Sequence, residues 1–186
     1  MKPALVVVDL LRDTFDRHAE SFIVKSAKTF LPRLNDLIDA FHQRAFPVIF
    51  ACDSFLPDDF IFQGGMEPHS LRGTPGESII IELHRNAEDH ILRKRRFSAF
   101  FKTDLDQTLR TLGIDVVLVT GIAASICVLT TALDAISHDF SAIIVDDCCA
   151  AHRLEHHKAI VDVYRHTPLY PLLQVMKSDQ CFELLA

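Results

Sequence analysis

The sequence predicts one α/β domain in which a parallel β-sheet is covered by helices on both faces. A chain of 186 residues is long enough for one large hydrophobic core and too short for two domains of ordinary size, so we take residues 1–186 as a single domain. Apolar residues make up 49% of the chain and charged residues 24%, which is the balance of a folded globular protein. Short β-branched runs alternate with longer segments of helical periodicity, as in parallel sheets.

Six apolar runs are predicted to be strands, and four amphipathic segments between them are predicted to be helices. The strands are Ala4–Val8, Pro47–Ala51, His90–Arg93, Val116–Thr120, Ala142–Val145 and Leu173–Met176. The helices fall in the segments KSAKTFLPRLNDLIDAFHQRA, KTDLDQTLRTLG, SICVLTTALDAISHD and HRLEHHKAIVDVYRH. The strand runs are apolar at successive positions, so we expect both faces of the sheet to be buried.

One connection is too long for a simple crossover loop. Between Asp53 and Gly76 the chain is rich in Gly and Pro and has no clear periodicity. Loops of this length in compact domains are usually functional or mobile. We therefore expect this segment to line or cover a binding site.

Charge and cysteine content restrict the class of partner and compartment. The net charge is −6, and the basic residues are scattered except for Arg93–Arg96, so the chain has no broad basic surface for nucleic acid. Neither a GxGxxG nor a GxxxxGK[ST] motif supports nucleotide binding. Five cysteines without CxxC spacing indicate a reducing compartment, and the N-terminal segment does not resemble a signal peptide. We expect a cytoplasmic protein whose partner is a small molecule or another subunit.

The stretch from Val116 to Leu133 carries no charge, which raises the alternative of a membrane span. As one helix it would be about 27 Å long, barely the thickness of a bilayer core. Its first part is β-branched, Gly121 interrupts it, and Ser125 is a suitable N-cap for a following helix. Strand, turn and helix is therefore the better interpretation, with no membrane contact and with Cys127 in the first helical turn.

A cysteine at that position has two interpretations. The N–H groups and dipole of a helix N-terminus favour an anion, which predicts a thiol pKa lowered from about 8.5 toward neutrality and donors for an oxyanion. Alternatively, Cys127 is a small buried hydrophobic residue. A nucleophile also needs a base, and Asp9 and Lys94 end two of the predicted strands. Such residues either meet at the carboxyl edge of the sheet or simply reach solvent.

Four segments in this order resemble the isochorismatase-like cysteine hydrolases, which include nicotinamidases, N-carbamoylsarcosine amidases, ureidoacrylate amidohydrolases and isochorismatases. ALVVVDLLRDTF resembles the opening strand of that family, and PHSLRGTPG resembles its histidine-containing loop. KRRFSAFFKTDLDQTLRTLGID is similar to its lysine segment, and VTGIAASICVLTTALDA to its nucleophile segment. The resemblance covers nearly the whole chain, and four ordered segments make it specific.

The resemblance implies a fold and a set of catalytic roles. The fold would be Rossmann-like, with three layers and strand order 3-2-1-4-5-6. Cys127 would be the nucleophile, Asp9 the base and Lys94 the cation that holds them. A cis peptide would join Ile122 and Ala123, and the N–H groups of Ala123 and Cys127 would form an oxyanion hole. Family members commonly assemble, which implies a homodimer or homotetramer.

Departures from the family pattern narrow the chemistry. Nicotinamidases carry a metal site in which an Asp is followed by two histidines; here Asp53 matches the Asp, but Phe55 and Asp59 occupy the histidine positions. A site without imidazoles suits zinc or iron poorly, so we predict no catalytic metal, no cofactor and a substrate other than nicotinamide. Leu11, Ala124 and Ser125 also depart from residues that are frequent in the family.

Other residues have weaker functional signals. Phe15 and Phe97 line the substrate pocket or merely pack in the core, and His69 contacts substrate or orders the long loop. His152 and His156 have metal-compatible spacing, but without a third ligand a solvated helix face is the better interpretation. Adjacent cysteines at 148 and 149 are expected in the core or the pocket wall, because they bridge only with strain.

We therefore predict a hydrolase that cleaves an amide or ureido C–N bond of a small molecule through a thioester-type intermediate. One rival is isochorismatase-like cleavage of a vinyl ether, which need not use a cysteine. A second rival is a non-catalytic binding or scaffold protein that keeps the fold. The combination of Asp9, Lys94 and Cys127 favours the amidase.

Overall fold

A six-stranded parallel sheet organises the chain, as predicted. The computed structural model describes residues 1–185. The strands are β1 (Pro3–Val8), β2 (Val48–Asp53), β3 (His90–Lys94), β4 (Val116–Ile122), β5 (Ser141–Ala150) and β6 (Leu173–Met176). They pair in the order 3-2-1-4-5-6, and every pair is parallel. The predicted fold class and strand order are thus confirmed.

Helices cover both faces of this sheet. They are α1 (Arg12–Arg17), α2 (Phe22–Gln43), α3 (Leu105–Thr111), α4 (Leu129–Ser137), α5 (Leu154–Arg165) and α6 (Ser178–Leu185). The four predicted helices are present, and α1 and α6 are additional. With 6 residues, α1 offers too few turns for apolar periodicity to identify it from sequence. α6 has 8 residues, more than the 7 of α3, so its length does not explain why no helix was predicted there.

Two apolar clusters explain why β1, β2 and β4 are buried along their whole length. Side chains alternate across a strand, so Leu5 and Val7 of β1 face the cluster beneath α2 and α6, whereas Val6 and Val8 face the cluster beneath α3 and α4. In α2 the residues that contact the sheet recur with helical spacing, and Phe41 at its end is fully buried. The sheet is therefore the middle of three layers.

The fifth strand is longer than its apolar run suggests. It continues past Val145 to Ala150, because two half-buried acidic residues inside it have partners on helices. The Asp146 carboxylate lies 2.7 Å from Nε2 of His157, and the Asp147 carboxylate accepts a hydrogen bond from the N–H of Ser178 at 2.7 Å. The cysteines at 148 and 149 consequently lie within β5, buried in the core.

The uncharged stretch forms a strand, a turn and a helix, as predicted. β4 is buried along its whole length and ends at Ile122, and α4 begins at Leu129. Between them, residues 124–128 form a π-helical turn. Within residues 1–185, no helix is both long enough and apolar enough to cross a bilayer.

Candidate active site

Three charged side chains meet at the carboxyl edge of the sheet. Asp9 follows β1 directly, whereas Asp53 and Lys94 are the last residues of β2 and β3. These strands are neighbours, and Asp53 is in register with Lys94. The carboxyl ends of adjacent parallel strands point to one edge, so the topology brings the three residues together.

Backbone geometry directs the Asp9 carboxylate toward its neighbours. Asp9 has a φ of 52°, in the left-handed region that Asp tolerates better than most residues. Its N–H donates to the carbonyl of Ala51 at 2.9 Å, and its Oδ1 accepts a hydrogen bond from the N–H of Asp53 at 2.8 Å. Two backbone contacts to β2 therefore hold this carboxylate in place.

Lys94 joins both carboxylates. Its Nζ lies 2.8 Å from Oδ2 of Asp9 and 2.5 Å from Oδ1 of Asp53, and its side chain is fully buried. Burial by itself lowers the pKa of an ammonium, but the charges of Asp53 and Asp9 outweigh it and raise the pKa of Lys94 well above its usual value. The lysine is thus a fixed buried cation.

Cys127 approaches this cluster from the π-helical turn after β4. Its sulfur and the nearest carboxylate oxygens of Asp9 and Asp53 lie within 4.8 Å of one another. The Ile122–Ala123 peptide bond is cis. The carbonyl of Ala123 accepts hydrogen bonds from the N–H groups of Ile126 at 3.0 Å and Val128 at 3.2 Å. Neither bond involves the Cys127 N–H, although in an α-helix that group would donate to the Ala123 carbonyl.

The predicted N-cap at Ser125 is wrong. Ala123 precedes the helical turn, and no side chain caps it. The wider π turn places Ser125 inside the turn, where its hydroxyl is no longer opposite the first N–H groups. Cys127 nevertheless remains in the first turn, as expected.

The prediction of a lowered thiol pKa is also wrong. Burial, and then the negative charge of Asp9, raise the pKa of Cys127 well above its usual value, although Lys94 acts in the opposite direction. Burial of the sulfur disfavours the thiolate, because removing a charged group from water is costly. In the resting site Cys127 is therefore a thiol, and its proton has to be removed during any attack.

Asp53 belongs to the same charged cluster, although sequence reasoning connected it only with a metal site. Burial and the neighbouring Asp9 raise its pKa to about 7, against the effect of Lys94. The signal that identified Asp9 and Lys94, a charge at the end of a buried strand, was also present at Asp53.

A cavity of about 500 Å³ opens above these residues. Among the residues predicted to form the site, it is lined by Asp9, Cys127, Ile122, Ala123, His69 and Phe97. The segment between Asp53 and Gly76 contributes Phe55, Met66 and Glu67 to the wall. The long loop therefore lines the site, as its length and composition predicted.

Phe15 does not line this cavity, in contrast to the substrate-binding alternative for it. It is buried in the cluster beneath α2, whereas Thr14, Arg17 and His18 face the cavity. Thr14, Arg17 and His18 are three and four residues apart and share one face of α1, whereas Phe15 lies off that face, so its ring is directed into the core.

His69 forms part of an aromatic wall. Its ring packs edge-on against Phe55 and Phe62 at centroid distances of 5.3 and 5.8 Å, and its Nδ1 lies 2.9 Å from the carbonyl of Glu67. Of the two histidines on the predicted solvated face, His152 also lines the cavity mouth, which sequence spacing did not indicate. His156 is exposed.

The residues near Asp53 do not fit the metal site of nicotinamidases. Asp53 is directed to the Lys94 ammonium, and Phe55 has no ligand atom. The Asp59 carboxylate is paired with Arg95 and Arg96, which hold the pKa of this carboxyl well below its usual value, Arg95 most strongly. Cations already occupy the positions around both carboxylates.

Comparison with known proteins places this chain in one family. The family model for the isochorismatase domain matches residues 3–175. The chain is similar to the crystal structure of an isochorismatase-like hydrolase from Alkaliphilus metalliredigens, with a TM-score of 0.88, 28% identity and coverage of 100% of both chains. It is also similar to N-carbamoylsarcosine amidase from Thermoplasma acidophilum, with a TM-score of 0.80, 34% identity and coverage of 96% and 98%.

A third relative indicates that similarity of sequence does not by itself establish activity. A probable inactive nicotinamidase of Arabidopsis thaliana is 28% identical over 166 residues, which cover 84% of each chain. Activity therefore has to be argued from the residues of the site. The family model, by contrast, spans most of the sequence, and the chain belongs to the isochorismatase family.

Proposed function

We propose that this protein is a cysteine hydrolase that cleaves a C–N bond in a small amide or ureido compound. The observation that supports this best is the buried arrangement of Cys127, Asp9 and Lys94 beneath an open cavity. A thiol beside a fixed carboxylate has the two parts that nucleophilic catalysis requires. The similarity to an amidase that acts on N-carbamoylsarcosine supports this substrate class.

The first half of the reaction forms a thioester. Asp9 accepts the proton of Cys127 while the sulfur attacks the substrate carbonyl carbon. The C=O electron pair moves to oxygen, where the N–H groups of Ala123 and Cys127 are the proposed donors. When the tetrahedral intermediate collapses, the C–N bond breaks and Asp9 transfers the proton to the leaving nitrogen.

The second half restores the enzyme. Water attacks the thioester carbonyl, and Asp9 takes a proton from it. The C–S bond then breaks, the sulfur leaves as thiolate, and the proton on Asp9 returns to it. Lys94 stays charged throughout and offsets the negative charge that develops next to it. No step requires a metal ion.

Ammonia release from a panel of small primary amides and carbamoyl compounds tests this proposal. We expect turnover by the wild-type protein and none by the Cys127→Ala variant, together with an acyl adduct on Cys127 that mass spectrometry detects. A wild-type protein that releases no more ammonia than Cys127→Ala across the panel would favour a binding or scaffold role. Cleavage of vinyl ether substrates that persists in Cys127→Ala would instead favour the isochorismatase reaction.

A further inference from the structure

Asp53 is the one buried charged group of this edge to which the proposed reaction assigns no role. Its carboxylate contacts Lys94 at 2.5 Å, a shorter distance than the 2.8 Å between Lys94 and Asp9. Its backbone N–H donates to the other oxygen of Asp9. Asp53 therefore touches both partners of Cys127 with two different groups.

The shared ammonium determines the charge balance of the site. When both carboxylates are ionised, Lys94 offsets only one of two negative charges, and the cluster has a net charge of −1. When Asp53 is neutral, Lys94 and Asp9 form a balanced pair. Both carboxylates and the ammonium are buried, so solvent screens this difference little.

That balance affects Cys127 directly, because its sulfur lies within 4.8 Å of the carboxylate oxygens. A net negative cluster disfavours the thiolate and keeps the sulfur protonated. It also leaves Asp9 less fully neutralised by Lys94 and so better able to accept a proton. A balanced pair has the opposite effect on both groups.

We propose that Asp53 is a positioning residue that shares Lys94 with Asp9 and thereby keeps Cys127 protonated until a substrate is attacked. The use of Asp9 as the base rests on the proposed function. The protonation of Cys127 in the resting site does not, because it depends only on the charged groups of this chain. Asp53 acts through Lys94 and Asp9 and does not itself exchange protons with the substrate.

The Asp53→Asn variant isolates the charge, since Asn keeps the shape of the side chain and the backbone N–H. We expect iodoacetamide to alkylate Cys127 in this variant about threefold faster or more at pH 8, because half a pKa unit changes the thiolate fraction about threefold. We expect kcat/KM for hydrolysis to fall about tenfold or more in the same variant. A disturbed structure would also speed alkylation of the equally buried Cys149, so an unchanged Cys149 rate in the same sample separates the effect of the charge from a loss of structure.

Asp146→Asn is the matched control. Asp146 is also a partly buried carboxylate with an ion-pair partner, His157, but it does not line the cavity. We expect this variant to leave both rates unchanged, and Asp53→Glu, which restores the charge, to return the alkylation rate toward that of the wild type. Alkylation of Asp53→Asn at or below the wild-type rate would overturn the inference.

A wild-type measurement covers the case in which Asp53→Asn does not fold. The pKa of Asp53 is raised to about 7, with burial as the main cause. As Asp53 ionises, its new charge should oppose formation of the Cys127 thiolate. A plot of the logarithm of the Cys127 alkylation rate against pH should therefore have a slope below one near pH 7. A slope of one throughout pH 6–9 would contradict the inference. Absence of hydrolase activity would refute the proposed function. The alkylation test of Asp53 would still be decisive, because alkylation needs no substrate.

Discussion

At Cys127, burial and then the negative charge of Asp9 act against the thiolate, although the residue lies in the first helical turn. The thiol pKa is raised, so near pH 7 we expect iodoacetamide to alkylate Cys127 more slowly than it alkylates free cysteine, whose pKa is about 8.5. The Asp9→Asn variant should be alkylated faster than the wild type, because the largest nearby negative charge is gone, and it should lose hydrolase activity, because the base is gone. Peptide mapping by mass spectrometry measures the alkylation rate.

An unmodified Asp9→Asn protein would contradict this prediction, provided that it is folded. Labelling of wild-type Cys127 at pH 7 that exceeds the rate of free cysteine would do so too. The buried Cys149 provides an internal comparison, since burial raises its pKa well above the usual value and it lies outside the proposed reaction.

Lys94 is the second residue at which burial determines the outcome. Lys94→Met would leave Asp9 and Asp53 buried without a cation, so we expect a loss of about 3–5 kcal/mol in the free energy of unfolding. The double variant Lys94→Met, Asp53→Asn removes one of the uncompensated charges and should recover part of that loss. Urea unfolding of both variants measures the difference, and a double variant less stable than the single one would contradict the ion-pair account.

At the scale of elements, the close pairing of β1 with β4 at their carboxyl ends depends on Gly121. It pairs with Val8, the residue before Asp9, and has a φ of +103°. A Cβ atom at this position would lie 2.1 Å from the Val8 carbonyl oxygen. A side chain therefore cannot fit unless the end of β1 moves, and Asp9 would move with it.

We expect Gly121→Ala to lose hydrolase activity and about 2 kcal/mol or more of stability, because left-handed strain alone costs about 1–2 kcal/mol and the clash adds to it. Gly113→Ala is a matched control, since Gly113 also has positive φ but open space around its Cα. It should incur the strain alone and keep its activity. Equal losses in urea unfolding for the two variants would argue against the close approach of β1 and β4.

For the whole molecule, two buried carboxyl groups give the free energy of unfolding opposite dependences on pH. Asp59 has a depressed pKa, so its contribution is present above about pH 4 and is lost as the pH falls. Asp53 has a raised pKa, from 3.8 to about 7. Its contribution is therefore fully present below about pH 4 and is lost as the pH rises through 7.

Asp53→Asn should accordingly show a flatter dependence of Tm on pH than the wild type. Between pH 4 and pH 8 we expect the wild-type Tm to fall relative to that of the variant, by about 2–4 °C for each kcal/mol involved. Differential scanning calorimetry at matched ionic strength measures this difference. A constant offset in Tm between the two proteins across that range would show that the Asp53 pKa is not raised.

A homodimer or homotetramer stays a prediction of the family resemblance, which sedimentation can test.

The sequence by itself determined the elements of this protein and the residue types of its site. Apolar runs and helical periodicity identified all six strands and four of the six helices, since burial leaves a regular apolar pattern along a strand or helix. No helix was predicted at α1, which has only 6 residues, or at α6. The strand order and the roles of Asp9, Lys94 and Cys127 came instead from resemblance to a family, because periodicity contains no information on which strands are neighbours.

Only the tertiary structure decided how those residues affect one another. It brought Asp53 into contact with Lys94, turned Phe15 into the core and placed His152 at the cavity mouth. It also reversed the predicted pKa shift of Cys127. The physical reason is that desolvation and Coulomb interactions depend on distances between residues from different strands, and these distances exist only after β1, β2, β3 and β4 have aligned their carboxyl ends.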